Sequence, residues 1–133
     1  MDPAARGLPR AHRVGPLGVI NWGGVALGAA TGIVAALLLN LAVDVILPWE
    51  SSIPSIIIHF SATVGAGYIA GRFAVDGPAH NGALAGLGFF LFAGVVAVLT
   101  ADGPTLAELV ILGAVGGVLG AAGGALADRR RTA

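Results

Sequence analysis

Four polar side chains within two largely apolar stretches are of types that could support chemistry. Asn40 and Asp44 are four residues apart in the first stretch, and His59 and Thr63 are four apart in the second. Residues at this spacing share one face of a helix. Counted from the turn near Glu50, Asn40 and His59 are about equally distant. We therefore expect an antiparallel helix pair to bring these side chains to one level.

Two kinds of chemistry are open to this cluster. If it is hydrated, it could bind an ion or move a proton, because histidine titrates near neutral pH. A buried carboxylate is costly in a membrane, ~2.5–3.5 kcal/mol at the centre for aspartate, so Asp44 should face protein or water. The alternative is interhelical hydrogen bonding, worth ~0.6 kcal/mol per pair. A zinc site is not indicated, because one histidine and one aspartate do not supply three or four ligands.

The elements that must position these residues are four apolar stretches, at about 18–47, 54–75, 81–100 and 105–127. Helices of ~20 residues cross a hydrocarbon core of ~30 Å. The chain is 56% apolar and 11% charged, with a mean hydropathy of +0.91, which leaves too few polar side chains to coat a soluble protein. The sequence predicts an all-α polytopic membrane protein, a glycine-packed antiparallel four-helix bundle over 15–128.

Charge predicts the orientation of the bundle. The seven basic residues are all arginines, at Arg6, Arg10, Arg13, Arg72, Arg129, Arg130 and Arg131. With four spans, these positions all fall on one side of the membrane, and basic loops stay cytoplasmic. We expect both termini inside, with 1–14 a disordered basic tail and 129–133 a second basic tail. Abundant Ala and Gly without lysine favours the bacterial cytoplasmic membrane.

Several residues are expected to anchor or end the helices. Trp22 and Trp49 are 27 positions apart, about 40 Å at helical rise, so both indoles can lie in the interfacial belts. Arg72 and the arginines at 129–131 are expected to act as topology anchors. Asp76-Gly77-Pro78 predicts a tight turn. Thr105 and Glu108 have capping-box spacing, and His80 and Asn81 are expected to be caps or interface residues.

Glycines recur at every fourth position in each span, a pattern that permits close approach of helix backbones in lipid. We expect these residues to be helix-packing surfaces: Gly24, Gly28, Gly32, Gly67, Gly71, Gly82, Gly86, Gly116, Gly120 and Gly124.

Other function classes find no support in the sequence. The chain contains no cysteine, which excludes disulfides, thiol nucleophiles and cysteine-ligated clusters. It has no nucleophile elbow, zinc-protease motif or phosphate-binding loop, so we expect neither an enzyme nor a cofactor. Nucleic-acid binding needs a basic patch on a solvated fold, and the terminal arginines do not form one.

The run 67–74, GYIAGRFA, and the run 80–86, HNGALAG, resemble a pattern found in small four-span prokaryotic membrane proteins of unknown function. The resemblance is clearest over spans two and three. It implies a four-helix integral membrane protein and brings no activity or site residues.

Two functional hypotheses follow. The first is a structural or accessory membrane protein that associates with itself or a larger complex through glycine-rich helix faces. The alternative is a small oligomeric channel or transporter that carries an ion or proton past the polar cluster on spans one and two.

Overall fold

The computed structural model describes residues 19–46, 53–100 and 104–130. They form four α-helices: α1 Trp22–Ile46, α2 Ile53–Phe73, α3 Pro78–Thr100 and α4 Leu106–Arg129. Each helix is long and apolar enough to cross a membrane. The predicted all-α class, with four candidate membrane spans, is therefore confirmed. The 1–14 tail, Trp49 and Arg131 lie outside the described residues.

Local capping and turn chemistry explains where the helices begin and end. α1 begins after Asn21, whose side-chain Oδ1 accepts a hydrogen bond of 2.9 Å from the Gly24 amide, and asparagine is a favoured N-cap. The expected span began four residues earlier. Gly77 has a φ of 61°, a left-handed conformation that glycine adopts without steric cost. α3 begins directly after it at Pro78, since proline suits the first helical position.

The predicted capping box at the start of α4 is confirmed. The Thr105 amide donates to Glu108 Oε2 at 2.7 Å, and the Glu108 amide donates to Thr105 Oγ1 at 3.3 Å. These two bonds satisfy backbone donors that have no partner within the helix.

The four helices are arranged around a central pair. α2 and α3 contact each other, α1 packs against both, and α4 packs against both. Over the described residues, α1 and α4 do not touch. Consecutive helices run antiparallel, so the start of α1, the turn at 74–77 and the end of α4 share one end of the bundle. We call this the arginine end, because Arg72 and Arg129 lie there, and the opposite end the distal end.

The interior is built mainly from small side chains. Ala66, Ala70 and Ala85 are at most 1% exposed, whereas most of the large aliphatic side chains point outward. Ile58 and Phe89 are among the few large apolar side chains that are buried. Soluble proteins show the reverse arrangement, with large apolar side chains inside. In lipid the outward arrangement is expected, because apolar side chains gain little by turning away from apolar surroundings.

Candidate functional site

Two of the four predicted polar residues line one groove, which lies between α1, α2 and α3 in the distal half of the bundle. The groove has a volume of about 450 Å³ and contains Asn40 of α1 and His59 of α2. The other lining residues are apolar: Ile33, Ala36, Leu37, Phe89, Phe92, Ala93, Val96 and Ala97. We call it the Asn40–His59 groove. Asn40 and His59 thus lie close to one level, as their spacing predicts.

The ring of His59 is held by its own helix. Its Nδ1 lies 2.7 Å from the carbonyl oxygen of Ser55 and 3.4 Å from the Ser55 hydroxyl. A carbonyl can only accept, so Nδ1 carries the proton, and in the neutral ring Nε2 is an acceptor. The ring also packs against Phe89, with centroids 6.0 Å apart and planes tilted by 52°. These contacts orient the imidazole within the groove wall.

Asn40 and Thr63 also bond to their own helices. The Asn40 amide nitrogen donates to the carbonyl of Ala36 at 2.7 Å, which uses one of its two N–H groups. The Thr63 hydroxyl donates to the carbonyl of His59 at 2.6 Å, and Thr63 is fully buried. Thr63 is not among the residues that line the groove. Hydrogen bonds of this kind run from residue i to i−4 and do not join helices.

Asp44 is exposed and is not among the lining residues of the groove. Four residues advance a helix by slightly more than one turn, and each such step rotates the position by about 40°. The row that starts at the buried Ala36 and passes through Asn40 therefore turns outward by Asp44. The structure brings Asn40 and His59 together and leaves the carboxylate outside their groove.

A second polar cluster lies at the arginine end, and we call it the asparagine clasp. The side chain of Asn81 is fully buried, and its Oδ1 accepts a hydrogen bond of 2.7 Å from the Asn21 amide. Its Nδ2 donates to the Gly77 carbonyl at 3.2 Å, while Asn21 Nδ2 donates to the Phe73 carbonyl at 2.8 Å. Two asparagines thus join α1, α2 and α3.

Sequence reasoning missed Asn21 because the expected start of the first span placed it inside the helix. Its signal was a favoured N-cap type directly before an apolar run. Asn81 was expected as a cap or interface residue, and the structure places it at an interface. Side-chain amides neither gain nor lose a proton in the ordinary pH range. The clasp can therefore position helices but supplies no acid–base chemistry.

A Cβ added to any of the ten predicted packing glycines would stand less than 3.0 Å from an atom of a neighbouring helix. A Cβ added to Gly67 would stand 2.6 Å from Gly120 Cα, and one added to Gly71 would stand 2.7 Å from Gly124 Cα. On α1, a Cβ at Gly28 would collide with the carbonyl oxygen of Ala66. A Cβ at Gly82 or Gly86 would likewise collide with a backbone carbonyl oxygen of α4. At the other three positions the closest atom belongs to a side chain of a neighbouring helix: Gly24, Gly32 and Gly116.

The predicted anchors that are described lie at the arginine end. Trp22 begins α1 and is 67% exposed, and Arg72 and Arg129 are exposed at the ends of α2 and α4. The guanidinium carbon of Arg130 lies 5.8 Å from the centre of the Tyr68 ring, within the range of a cation–π contact.

Among the described residues, no three or more histidine, aspartate or glutamate side chains stand close enough to hold a metal ion. Compared with models of protein families, with curated proteins and with solved structures, the chain has no match. Its function is therefore inferred from its own residues.

Proposed function

We propose that the chain is a non-catalytic structural or accessory protein of the bacterial cytoplasmic membrane. One observation carries this proposal: the backbones of α2, α3 and α4 meet at Gly67, Gly82 and Gly120. Over the described residues, every buried side-chain nitrogen and oxygen atom has a hydrogen-bond partner. A channel needs a polar or wettable path, and the backbone contacts leave no room for one between α2, α3 and α4.

The glycine contacts support packing as the role of the stripes. On α1, Gly24, Gly28 and Gly32 follow the alanine row of α2. On α4, Gly120 meets both Gly67 of α2 and Gly82 of α3. Small residues strengthen helix association in lipid because they bring backbones into van der Waals contact. These contacts support a glycine-packed bundle.

The charge distribution supports an orientation with both termini in the cytoplasm. Arg72, Arg129 and Arg130 share the arginine end, and Glu108 lies near the distal end. Basic residues near the ends of spans stay in the cytoplasm during insertion. The arginine end is therefore assigned to the cytoplasmic side, where its guanidinium groups can meet anionic lipid headgroups.

Association with a second copy or a larger membrane complex is the remaining part of the proposal. The ten predicted glycines are occupied by contacts within the chain, so a partner must use the outward faces. Purification in mild detergent at native expression, followed by native mass spectrometry, tests this. We expect a discrete homo-oligomer or a defined companion. A bare monomer at every detergent concentration would refute the association.

A small oligomeric channel or transporter is the second candidate, and one observation favours it: Asn40 and His59 line the same groove. Flux of protons and monovalent ions into liposomes that contain the protein distinguishes the two functions. The structural role predicts flux no higher than in protein-free vesicles. Transport along this groove predicts flux that is lost on combining Asn40→Ala with His59→Ala.

A further inference from the structure

We propose that the Asn40–His59 groove binds a neutral amphiphile that carries a hydroxyl group on an apolar chain. The hydroxyl would lie between Asn40 and His59, and the chain would follow the apolar wall toward Phe89. This site is independent of the structural role proposed above, since it uses none of the packing glycines.

The tautomer of His59 selects a ligand group that donates a hydrogen bond. Within the described residues, both hydrogen-bond contacts of the ring go to Ser55 through Nδ1. Nε2 is thereby left as the acceptor that can meet a ligand. Asn40 uses one N–H on the Ala36 carbonyl, and its amide retains a second N–H and a carbonyl oxygen. A hydroxyl, which both donates and accepts, matches this pair.

The apolar wall selects a chain as the other half of the ligand. Eight of the ten lining residues are apolar, and the volume of about 450 Å³ lies within the ~300–1,000 Å³ usual for small-molecule sites. Along α1 the lining runs from Asn40 to Ile33, seven residues or about 10 Å at helical rise. An apolar chain of that length would cover this wall.

The depth of the polar pair suits a hydroxyl at the outer edge of the hydrocarbon. Asn40 lies six residues before the end of α1 at Ile46, and His59 lies six residues after the start of α2 at Ile53. Six residues correspond to about 9 Å. The head of a hydroxyl amphiphile would thus sit about 9 Å below the distal end, with its chain directed inward.

The ligand must be neutral, because the groove offers no charged partner. Asp44 is exposed and lies outside the lining, and no arginine lines the groove. A bare ion in the membrane needs ligands that replace its hydration shell, and one amide with one imidazole does not supply them. A phosphate or carboxylate head would also remain unpaired and costly.

Photolabelling tests this inference on the purified full chain in nanodiscs. The probe is a ten-carbon alcohol with a diazirine midway along the chain and a terminal alkyne. Matched probes carry a methyl ether or a hydrogen in place of the hydroxyl. The ether has similar length but cannot donate to His59 Nε2. Labelled peptides are identified by mass spectrometry, and labelling is measured against increasing unlabelled decanol.

We expect saturable labelling in the stretches of α1 and α3 that line the groove, about 3- to 10-fold stronger for the alcohol than for the ether. One hydrogen bond supports a preference of that size. His59→Phe should reduce the ratio to about 1, while Ala93→Leu should fill the groove and weaken labelling by both probes. Gly117→Leu is the control, because it faces open space on the other side of the bundle; it should leave the ratio unchanged.

Equal labelling by the alcohol and the ether in the unaltered protein would overturn the proposal. So would labelling that is spread over all lipid-facing helices and is insensitive to Ala93→Leu. Circular dichroism and gel filtration of each variant establish that it is folded. If His59→Phe does not fold, the proposal is tested by the alcohol-to-ether ratio of the unaltered protein and by the effect of Ala93→Leu on labelling.

Discussion

Replacing Gly120 by alanine tests the packing at the centre of the bundle with the smallest possible change. The added methyl group would collide with the carbonyl oxygen of Gly82 and stand 2.9 Å from Gly86 Cα. Gly117 on the same helix has no atom within 4 Å of the corresponding position. Gly120→Ala and Gly117→Ala therefore add the same group to the same helix in opposite surroundings.

The expected difference follows from these distances. Ordinary contact begins at 3.4 Å, so α3 and α4 must separate by at least 3.4 − 2.9 = 0.5 Å at Gly86. Inserting one carbon into a packed interior costs about 1–3 kcal/mol. Alanine also favours helix over glycine by up to about 1 kcal/mol, at both positions. We expect Gly117→Ala to be neutral or slightly stabilising and Gly120→Ala to be less stable than it by about 2 kcal/mol.

Unfolding in mixed micelles provides the measurement. Each variant is titrated from dodecylmaltoside into sodium dodecyl sulfate, and helix content is followed by far-UV circular dichroism. The midpoint should fall clearly for Gly120→Ala and hold or rise for Gly117→Ala. Equal midpoints for the two variants would refute direct backbone contact at Gly120, and the glycine-packed bundle with it.

Three further predictions test the ends of the bundle. Asn81→Ala should lower the free energy of unfolding in the same titration by about 2–3 kcal/mol, because it removes a buried amide and leaves backbone groups unsatisfied. Asn40→Ala should lower it by less, because Asn40 is half-buried and its side chain bonds to the Ala36 carbonyl of its own helix. Thr105→Ala should destabilise by about 1 kcal/mol through loss of the cap, seen as faster amide hydrogen exchange confined to the first turn of α4. Since the chain has no cysteine, single cysteines report topology: in spheroplasts an impermeant maleimide should label Pro104→Cys at once and Val75→Cys only after lysis, and the reverse pattern would contradict the assigned orientation.

The helices were predictable because their signals are local. Twenty-residue apolar stretches and turn chemistry at Gly77 act within a few positions, and the capping box spans Thr105 to Glu108. The exact start of α1 was not predictable from hydropathy, since the apolar run continues on both sides of Asn21. The N-cap residue type of Asn21 was the local signal, and the hydrogen bond from the Gly24 amide to its side chain marks the boundary in the structure.

The polar sites were harder to predict because they depend on rotation and on pairing between helices. The similar depth of Asn40 and His59 could be predicted by counting residues from the turn between α1 and α2, since the rise per residue of a helix is constant. Whether Asp44 would join them depended on an accumulated rotation of about 40° per step of four, which carries it out of the groove. The asparagine clasp depended on α1 and α3 being neighbours, although 60 residues separate Asn21 from Asn81.

The separation of α1 from α4 follows from the two small faces of α2. α2 carries two: an alanine row that includes Ala66 and meets α1, and a glycine row that includes Gly67 and meets α4. Adjacent residues differ by about 100° around a helix, so the two rows point toward different neighbours. On α1 the row through Gly28 faces the alanine row of α2. α1 and α4 therefore pack against different faces of α2, and filling the Ala66 row is predicted to detach α1 while leaving the contact of α2 with α4 in place.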